Sequence, residues 1–314
     1  MNLTCLLLSP IAAIARRIPS SRRLKPWLVS RSRTIKISKH FTFTTRYSDI
    51  RWSTEALPDL LTRHLLFEGT YQEDVIQIIL HVCNPGEVVF DVGGHHGYMS
   101  LVASSAVGSI GRVITFEPNP YARRWIKHNI ELNNKTNISV MPVAIGASKG
   151  SARLHIQKGT CTWNTSLFKN AFSDGYETEE ITVDITTIDD YVRESGIIPK
   201  LIKIDIEGSE FLALQGAFST IATHRPALIL EFNPVSAKAA NVVIKDIVAR
   251  LHDYGYDLTV LRKNRWGRYA FGNVEAFSEN KHCHDDLCNV LCLPTGSEQL
   301  VAPLRHTRCA EGDP

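Results

Sequence analysis

Residues 88–97 read VVFDVGGHHG, and this stretch decides the fold. Its apolar start is short and continuous, which is typical of a strand buried on both faces of a sheet. The glycines that follow lead into an apolar helix over 98–107, and a second apolar run at 112–116 predicts the next strand. Strand, helix and strand in this order form a βαβ unit, in which two parallel strands share one sheet.

The same alternation continues along the chain on both sides of this unit. It predicts further strands at 138–140, 201–206, 227–232, 256–261 and 289–293, with extra antiparallel strands around 154–156 and 181–185. The sequence therefore predicts an α/β fold that is doubly wound and Rossmann-like, with a mostly parallel sheet and an antiparallel terminal strand.

Charge is distributed unevenly between the two ends of the chain. The first 48 residues contain ten Lys or Arg and no Asp or Glu, whereas the remainder contains 25 basic and 32 acidic residues. The acidic balance of the remainder argues against a broad nucleic-acid-binding surface. We therefore expect a basic leader at 1–48 and a single domain at 49–314, with the motif-bearing core at 70–294.

The leader is compatible with several roles. Its positive charge follows a short apolar segment, whereas a secretory signal carries the charge before that segment. An organelle-targeting segment, a membrane-surface arm and a poorly ordered leader all fit its Arg-rich and Ser-rich composition. No stretch approaches the roughly 20 apolar residues of a membrane span, so we expect a cytoplasmic protein without a transmembrane segment, or one directed elsewhere by its leader.

The seven cysteines do not form the pattern of a disulfide framework or of a zinc site. Their number is odd and they are scattered over a long chain, which favours a reducing compartment. Cys283, Cys288 and Cys292 lie close together in sequence, but no CxxC pair occurs among them. We expect buried or loop thiols there and no metal.

The glycine spacing argues against a nicotinamide dinucleotide. The G-x-G-x-x-G fingerprint would require glycines where the chain has His95 and Tyr98. An acid, Asp91, instead precedes Gly93 by two residues, and Gly97 opens the helix. This arrangement suits a ligand that lacks a pyrophosphate and carries positive charge, such as S-adenosylmethionine.

A second acid follows the next strand. Glu117 lies 20 residues after Gly97, and its two carboxylate oxygens can accept hydrogen bonds from both ribose hydroxyls of a nucleoside. A carboxylate favoured by the dipole of the following helix is the alternative explanation. With the glycine loop upstream, we favour the nucleoside-binding role.

Several motifs occur together in a fixed order: VFDVGGHHG at 89–97, FEPNP at 116–120, VAIG at 143–146, TID at 187–189, IKIDIEGSE at 202–210 and NVLCLP at 289–294. In the identity and order of these motifs, the chain resembles the FkbM family. The resemblance implies a methyltransferase that uses S-adenosylmethionine, mainly for O-methylation of hydroxyl groups. The chain departs from the family where it has Gly94 and His95, since Ala and Asn are common there. The expected cofactor-binding residues are Asp91, Gly93, His95, Gly97, Glu117 and Ala144.

Three acids are expected at the carboxyl ends of neighbouring strands. Asp205 and Glu207 share a strand face with Lys203, and Glu231 ends the next strand. Methyl transfer requires an aligned acceptor oxygen and removal of its proton, so Asp205, Glu207 and Glu231 are the expected catalytic residues, with His96 as a possible base. An ion pair with Lys203 and a helix-capping role are the structural alternatives. Whether the carboxylates bind a divalent metal stays open.

These observations lead to one main functional hypothesis. The chain is expected to O-methylate a hydroxyl of a small molecule or glycan, with S-adenosylmethionine as the methyl donor. A non-catalytic nucleoside-binding relative that acts as a scaffold or partner subunit is the alternative. A nucleic-acid methyltransferase is disfavoured, because the Asn/Asp-Pro-Pro-Tyr/Phe box is missing after the strand at 201–206.

Overall fold

A computed structural model describes residues 24–32, 41–54, 59–157, 165–168, 177–232, 243–263, 269–273 and 288–305. The helices are α1 (Leu24–Arg31), α2 (Leu60–Phe67), α3 (Glu73–Val82), α4 (Tyr98–Val107), α5 (Pro120–Leu132), α6 (Ile188–Ser195), α7 (Glu210–Gln215), α8 (Phe218–His224) and α9 (Ile244–Asp253). The strands are β1 (Phe41–Thr44), β2 (Arg51–Thr54), β3 (Val88–Val92), β4 (Arg112–Phe116), β5 (Ile138–Met141), β6 (Ala144–Ile145), β7 (Gly150–Gln157), β8 (Thr165–Ser166), β9 (Thr178–Thr186), β10 (Leu201–Ile204), β11 (Ala227–Phe232), β12 (Tyr256–Lys263), β13 (Tyr269–Asn273) and β14 (Cys288–Pro294).

The central sheet has eight strands in the order β13-β12-β14-β11-β10-β3-β4-β5. The five strands from β11 to β5 are parallel, and the three at the other edge are antiparallel. The predicted α/β fold with a mostly parallel sheet is therefore confirmed. Its antiparallel edge has three strands rather than one, because β12 and β13 form a hairpin that pairs with β14.

The start of α5 follows from the local sequence. Asn119 caps this helix, since its side chain accepts a hydrogen bond from the Tyr121 N–H and a proline follows it.

Helices cover both faces of the central sheet. One apolar layer contains Phe90, Ile204 and Leu230. The opposite layer packs alternate residues of the same strands against α3 and α4. Both faces of these strands are therefore covered by helices. This explains why the strand sequences are continuously apolar rather than alternating.

A second sheet stands beside the first, in the order β6-β9-β7-β8. Its long β7–β9 pair is antiparallel, as the alternation in the sequence predicts. A small apolar cluster that includes Leu154 and Ile156 lines its inner face. This sheet forms one wall of the cavity described below.

A β-hairpin crosses the expected boundary between leader and domain. β1 pairs with β2, so residues on both sides of position 48 belong to one unit. The guanidinium of Arg63 in α2 also donates to the carbonyl of Val29 in α1, at 2.6 Å. The division at residue 48 stays a prediction, and these contacts favour an earlier boundary.

None of the helices in the described ranges has the length and apolar character of a membrane span. Cys83, Cys288 and Cys292 are buried, and burial raises the pKa of the Cys83 thiol to about 12. The remaining member of the predicted cysteine cluster, Cys283, lies outside the described residues.

Candidate active site

A cavity of about 480 Å³ opens at the carboxyl ends of the parallel strands. In open α/β sheets, ligands bind at this edge. Residues from the ends of β3, β4, β10 and β11 line it, together with the second sheet and the segment 59–72. Seven of the nine predicted site residues line the cavity: Gly93, His95, Glu117, Ala144, Asp205, Glu207 and Glu231.

The glycine after β3 has no room for a side chain. A Cβ at Gly93 would lie 1.9 Å from the backbone oxygen of Asp205, and its φ of +85° favours glycine. The N–H groups of Gly93 and Gly94 both donate to the carbonyl of Phe116. The loop after β3 is thus in direct backbone contact with β4 and with the loop after β10.

The departure from the family pattern at Gly94 has a steric explanation. A Cβ there would lie 2.2 Å from Thr115 Cγ2 and 3.2 Å from Ile126 Cδ1. The threonine methyl therefore occupies the space that an alanine side chain would need.

Glu117 links two loops through its carboxylate. One oxygen accepts the His95 N–H at 2.8 Å, and the other accepts the Asn119 N–H at 2.9 Å. Burial raises the pKa of Glu117 to about 7, although both hydrogen bonds act in the opposite direction. Each oxygen keeps a lone pair that can accept a further hydrogen bond from a ligand.

The two histidines of the loop have different positions. His95 lines the cavity with a left-handed φ of +51°, and its ring stacks on that of His96 at 4.2 Å between centroids. His96 does not line the cavity, and its Nδ1 lies 3.8 Å from Asp59 Oδ2. Burial lowers the pKa of His95 to about 3 and that of His96 to about 4. Both rings are therefore neutral at pH 7, and the position of His96 does not favour its predicted role as a base.

Asp91 and Gly97 are the two predicted cofactor-binding residues that do not line the cavity. The Asp91 side chain is buried in the sheet, where it accepts a hydrogen bond from Ser100 and faces Lys203 at 3.8 Å. Asp91 is in register with Lys203 of β10 and with Thr115 of β4. Its position therefore favours a structural role over the predicted contact with the cofactor.

Asp205 follows β10 and forms a partly buried ion pair. Its Oδ2 lies 3.0 Å from Lys203 Nζ, which is also close to Asp91. Burial alone would lower the pKa of Lys203, but the carboxylates of Asp205 and Asp91 raise it to about 12. Burial acts to raise the pKa of Asp205, but the Lys203 charge and the hydrogen bonds from the Glu231 and Lys203 side chains together outweigh it, so the pKa is lowered. The predicted ion pair between Lys203 and an acid is present.

Glu231 and Asp205 form a carboxyl pair whose pKa values are shifted in opposite directions. Burial and the charges of Asp205 and Glu207 raise the pKa of Glu231 well above the usual range. A hydrogen bond joins the Glu231 and Asp205 side chains, and the amide of Gln72 donates to Glu231 Oε1 at 3.2 Å. A neutral acid beside an ionised one is the state expected when two carboxyl groups share a site.

Glu207 lies in a tight turn rather than in the strand. The predicted strand at 201–206 ends at Ile204, because the Glu210 carboxylate accepts the N–H groups of Ile206 and Gly208 and turns the chain. Glu207 has a φ of +52°, a conformation that non-glycine residues rarely adopt. The turn directs Glu207 to the cavity, and such strain is concentrated at functional sites.

The three predicted catalytic acids meet at one place. One oxygen of each of Asp205, Glu207 and Glu231 lies within 4.8 Å of the others, a grouping that could hold a metal ion. Asp205 in addition contacts Lys203 and the Glu231 carboxyl.

Sequence reasoning missed the wall contributed by the segment before α3. Asp59, Tyr71 and Gln72 line the cavity, and burial and the nearby acids raise the pKa of Tyr71. Asp59 caps α2 and directly precedes an apolar run, a start signal that the sequence carries. Tyr71 and Gln72 belong to no motif, and nothing in the sequence pattern identifies them.

Comparisons with known proteins point to one family. The profile of the FkbM methyltransferase domain matches residues 91–258, which include all nine predicted site residues. The hexuronic acid methyltransferase AglP of Haloferax volcanii is 24% identical over 203 residues, covering 64% of this chain and 76% of AglP.

Two solved structures illustrate the range of similar folds. The FkbM methyltransferase of Methylobacillus flagellatus matches 90% of this chain and 60% of its own, with a TM-score of 0.40 and 17% identity. The precorrin-6y C5,15-methyltransferase of Geobacter metallireducens matches 72% of this chain and 90% of its own, with a TM-score of 0.40 and 14% identity.

Proposed function

This chain belongs to the FkbM methyltransferase family, and we propose that it transfers the methyl group of S-adenosylmethionine to a hydroxyl group of a small molecule or glycan. One observation carries the proposal: a single cavity contains Gly93 and Gly94 of the loop after β3, the Glu117 carboxylate and Asp205, whose pKa is lowered. The first two suit a nucleoside, and the third suits a hydroxyl that must lose its proton.

The residues near Glu117 fit the cofactor. Gly93 and Gly94 line the cavity without side chains, and Glu117 has oxygens to accept ribose hydroxyls. Ala144, Ile145 and Leu154 add an apolar wall from the second sheet, where an adenine ring could pack. When bound, S-adenosylmethionine supplies an electrophilic methyl carbon on a sulfonium.

The acid group would prepare the acceptor. As the methyl carbon–sulfur bond breaks and the carbon–oxygen bond forms, the acceptor oxygen becomes strongly acidic. A carboxylate of low pKa such as Asp205 is then a sufficient base, and the proton goes to Asp205. Lys203 keeps Asp205 ionised, while Glu207 and Glu231 can hold acceptor hydroxyl groups through hydrogen bonds.

A polyhydroxyl acceptor is supported by two independent points. Acidic side chains line one end of the cavity, and carboxylates accept hydrogen bonds from vicinal hydroxyl groups. The relative AglP is by name a methyltransferase of a sugar acid. A glycan or a small polyol is therefore the acceptor class that we propose.

Calorimetry of the full chain with S-adenosylmethionine, S-adenosylhomocysteine and NAD tests the cofactor assignment. We expect binding of the first two and none of NAD, and tight binding of NAD alone would refute the proposal. Transfer of a labelled methyl group to a panel of neutral, acidic and amino glycosides then tests the reaction. Cofactor binding without transfer to any hydroxyl would favour the non-catalytic alternative. A chelator added to the same assay reveals any divalent metal held by the acids.

A further inference from the structure

One arginine holds the backbone of the loop that carries Glu117. Arg123 lies near the start of α5, and its Nη1 donates to the carbonyl of Glu117 at 3.0 Å and to that of Pro118 at 2.6 Å. The Glu117 carboxylate accepts the N–H groups of His95 and Asn119 at the same time. Residue 117 is thus fixed at two places, at its carbonyl by Arg123 and at its carboxylate by two backbone donors.

The position of Arg123 in the helix is unfavourable for a cation. The start of a helix carries a partial positive charge from its free N–H groups, which favours acids there. Arg123 lies close to that end of α5, and the first turn of the helix contains no acid. Burial lowers the pKa of Arg123, while the Glu117 charge acts in the opposite direction. Helix stability alone therefore gives no reason for an arginine at this position, whereas its two contacts with the loop do.

The charge of Arg123 also acts on the Glu117 carboxylate. Burial is the main cause of the raised pKa of Glu117, and the charge of Asp91 acts in the same direction. The hydrogen bonds from Asn119 and His95 and the charge of Arg123 act to lower this pKa. Arg123 is the cation among the groups that face Glu117, so it favours the ionised carboxylate, which accepts hydrogen bonds on both oxygens.

We propose that Arg123 is a positioning residue for cofactor binding, which fixes the loop at residues 117–118 and favours the ionised carboxylate of Glu117. The identity of the ligand in this inference rests on the proposed function, whereas the action of Arg123 on Glu117 does not. Arg123 acts through Glu117 and is not itself among the described residues that line the cavity.

Calorimetry of the full chain with S-adenosylhomocysteine, over a range of pH values around neutrality, tests this role. Because the ionised Glu117 accepts ribose hydroxyls on both oxygens, the affinity of wild type should rise with pH through about 7. Arg123→Met is expected to move the midpoint of this rise upward by about 0.5 to 1 pH unit, less than the effect of a direct ion pair. At pH 7 its affinity should be roughly tenfold lower, which corresponds to about one hydrogen bond to a charged acceptor.

Two further variants of Arg123 keep the test decisive. Arg123→Lys retains the charge, so it should keep the midpoint of wild type. Arg123→Gln removes the charge with a polar side chain and takes the place of Arg123→Met if that variant does not fold.

Arg124→Met is the matched control, because it removes the same charge from an exposed position of the same helix. Glu117→Gln supplies the baseline and should abolish the rise of affinity with pH. A merely structural role for Arg123 would lower the melting temperature and leave the midpoint at its wild-type value, and that result overturns the inference. An equal shift in Arg124→Met also overturns it, as does a rise that persists in Glu117→Gln.

A second measurement separates this inference from the proposed function. Absence of S-adenosylhomocysteine binding by wild type at every pH refutes the proposed function. Chemical denaturation still reports on Arg123, because the stability difference between wild type and Glu117→Gln decreases with pH until the folded Glu117 ionises. The difference between Arg123→Met and the double variant Arg123→Met/Glu117→Gln should continue to decrease at a higher pH. Coincident pH dependences of the two differences overturn the inference.

Discussion

Lys203 Nζ lies 3.0 Å from Asp205 Oδ2 at the end of β10 and 3.8 Å from Asp91 Oδ1, so one buried cation is shared by two acids. An acid held in this way has a structural role in addition to any role in proton transfer. Asp205 and Glu207, which the sequence presents as equivalent, are therefore expected to respond differently to substitution.

We predict that Asp205→Asn destabilises the fold and Glu207→Gln does not. Removal of the Asp205 charge leaves Lys203 partly uncompensated, which costs about 3 kcal/mol of the free energy of unfolding. Asp205→Asn also removes the proposed base, so methyl transfer by this variant falls by roughly 10²- to 10⁴-fold. Glu207→Gln keeps the melting temperature near wild type and lowers kcat/KM by about 10- to 100-fold, because hydrogen bonds from the acceptor to a charged group are lost. Thermal unfolding and a methyl-transfer assay on each variant check this pair. Equal stability of the two variants would contradict the structural role of Asp205, and full activity of Glu207→Gln would contradict its catalytic role.

Loss of the Glu117 carboxylate should weaken cofactor binding. Glu117→Ala is expected to reduce the affinity for S-adenosylhomocysteine by about 1 to 3 kcal/mol, the range for hydrogen bonds to a charged acceptor. Glu131→Ala, at an exposed position of α5, is the control and should leave the affinity unchanged. Calorimetry measures both, and equal affinities in the two variants would remove Glu117 from the binding site.

The raised pKa of Glu117 predicts a pH dependence of stability with a definite sign. Its pKa rises from 4.5 to about 7 on folding, so between these values the folded protein holds a proton that the unfolded chain has released. This group therefore makes the fold less stable as the pH rises through that window. His95 and His96 contribute with the opposite sign, since their pKa values are lowered. The measurement is the free energy of unfolding of wild type and of Glu117→Gln at several pH values. The difference, wild type minus variant, should decrease as the pH rises from 4.5 to 7. A difference that does not change with pH would contradict the raised pKa of Glu117.

Gly94→Ala should destabilise this chain although alanine is common in the family. The new Cβ would meet Thr115 Cγ2 at 2.2 Å, and overpacking of this kind costs about 1 to 3 kcal/mol. Thr115→Ser removes that methyl group and keeps the hydroxyl that contacts Ser100. The double variant should regain most of the stability in chemical denaturation, and Gly150→Ala, with no atom within 4 Å, should be neutral. Failure of Thr115→Ser to restore stability would show that another contact excludes alanine.

The hairpin predicts where the chain can be shortened. A chain that starts at Asp49 lacks β1, and with it Phe43 and Tyr47, which pack against the core. We expect it to melt at a lower temperature than a chain that starts at Leu24, although both should bind cofactor. Calorimetric melting compares the two chains, and identical transitions would support the boundary at residue 48.

The sequence predicted the parts of the fold that depend on apolar periodicity, and it failed where hydrogen bonds of polar side chains take over. The strand at 112–116 agrees with β4 because burial on both faces leaves a continuous apolar run. The end of β10 was placed two residues late, since Ile206 continues the apolar pattern while Glu210 turns the backbone. Gln72 was missed because a single long-range contact leaves no periodic trace.

The contact between Gly93 and the backbone oxygen of Asp205 has a consequence for protein engineering. The loop after β3 and the loop after β10 fit each other with no space for one added carbon atom. Neither loop is an interchangeable module, because a graft from a relative would bring a backbone shaped for a different neighbour. Chimaeras designed to change the acceptor should therefore transplant both loops together, or vary only the segment before α3 and the second sheet.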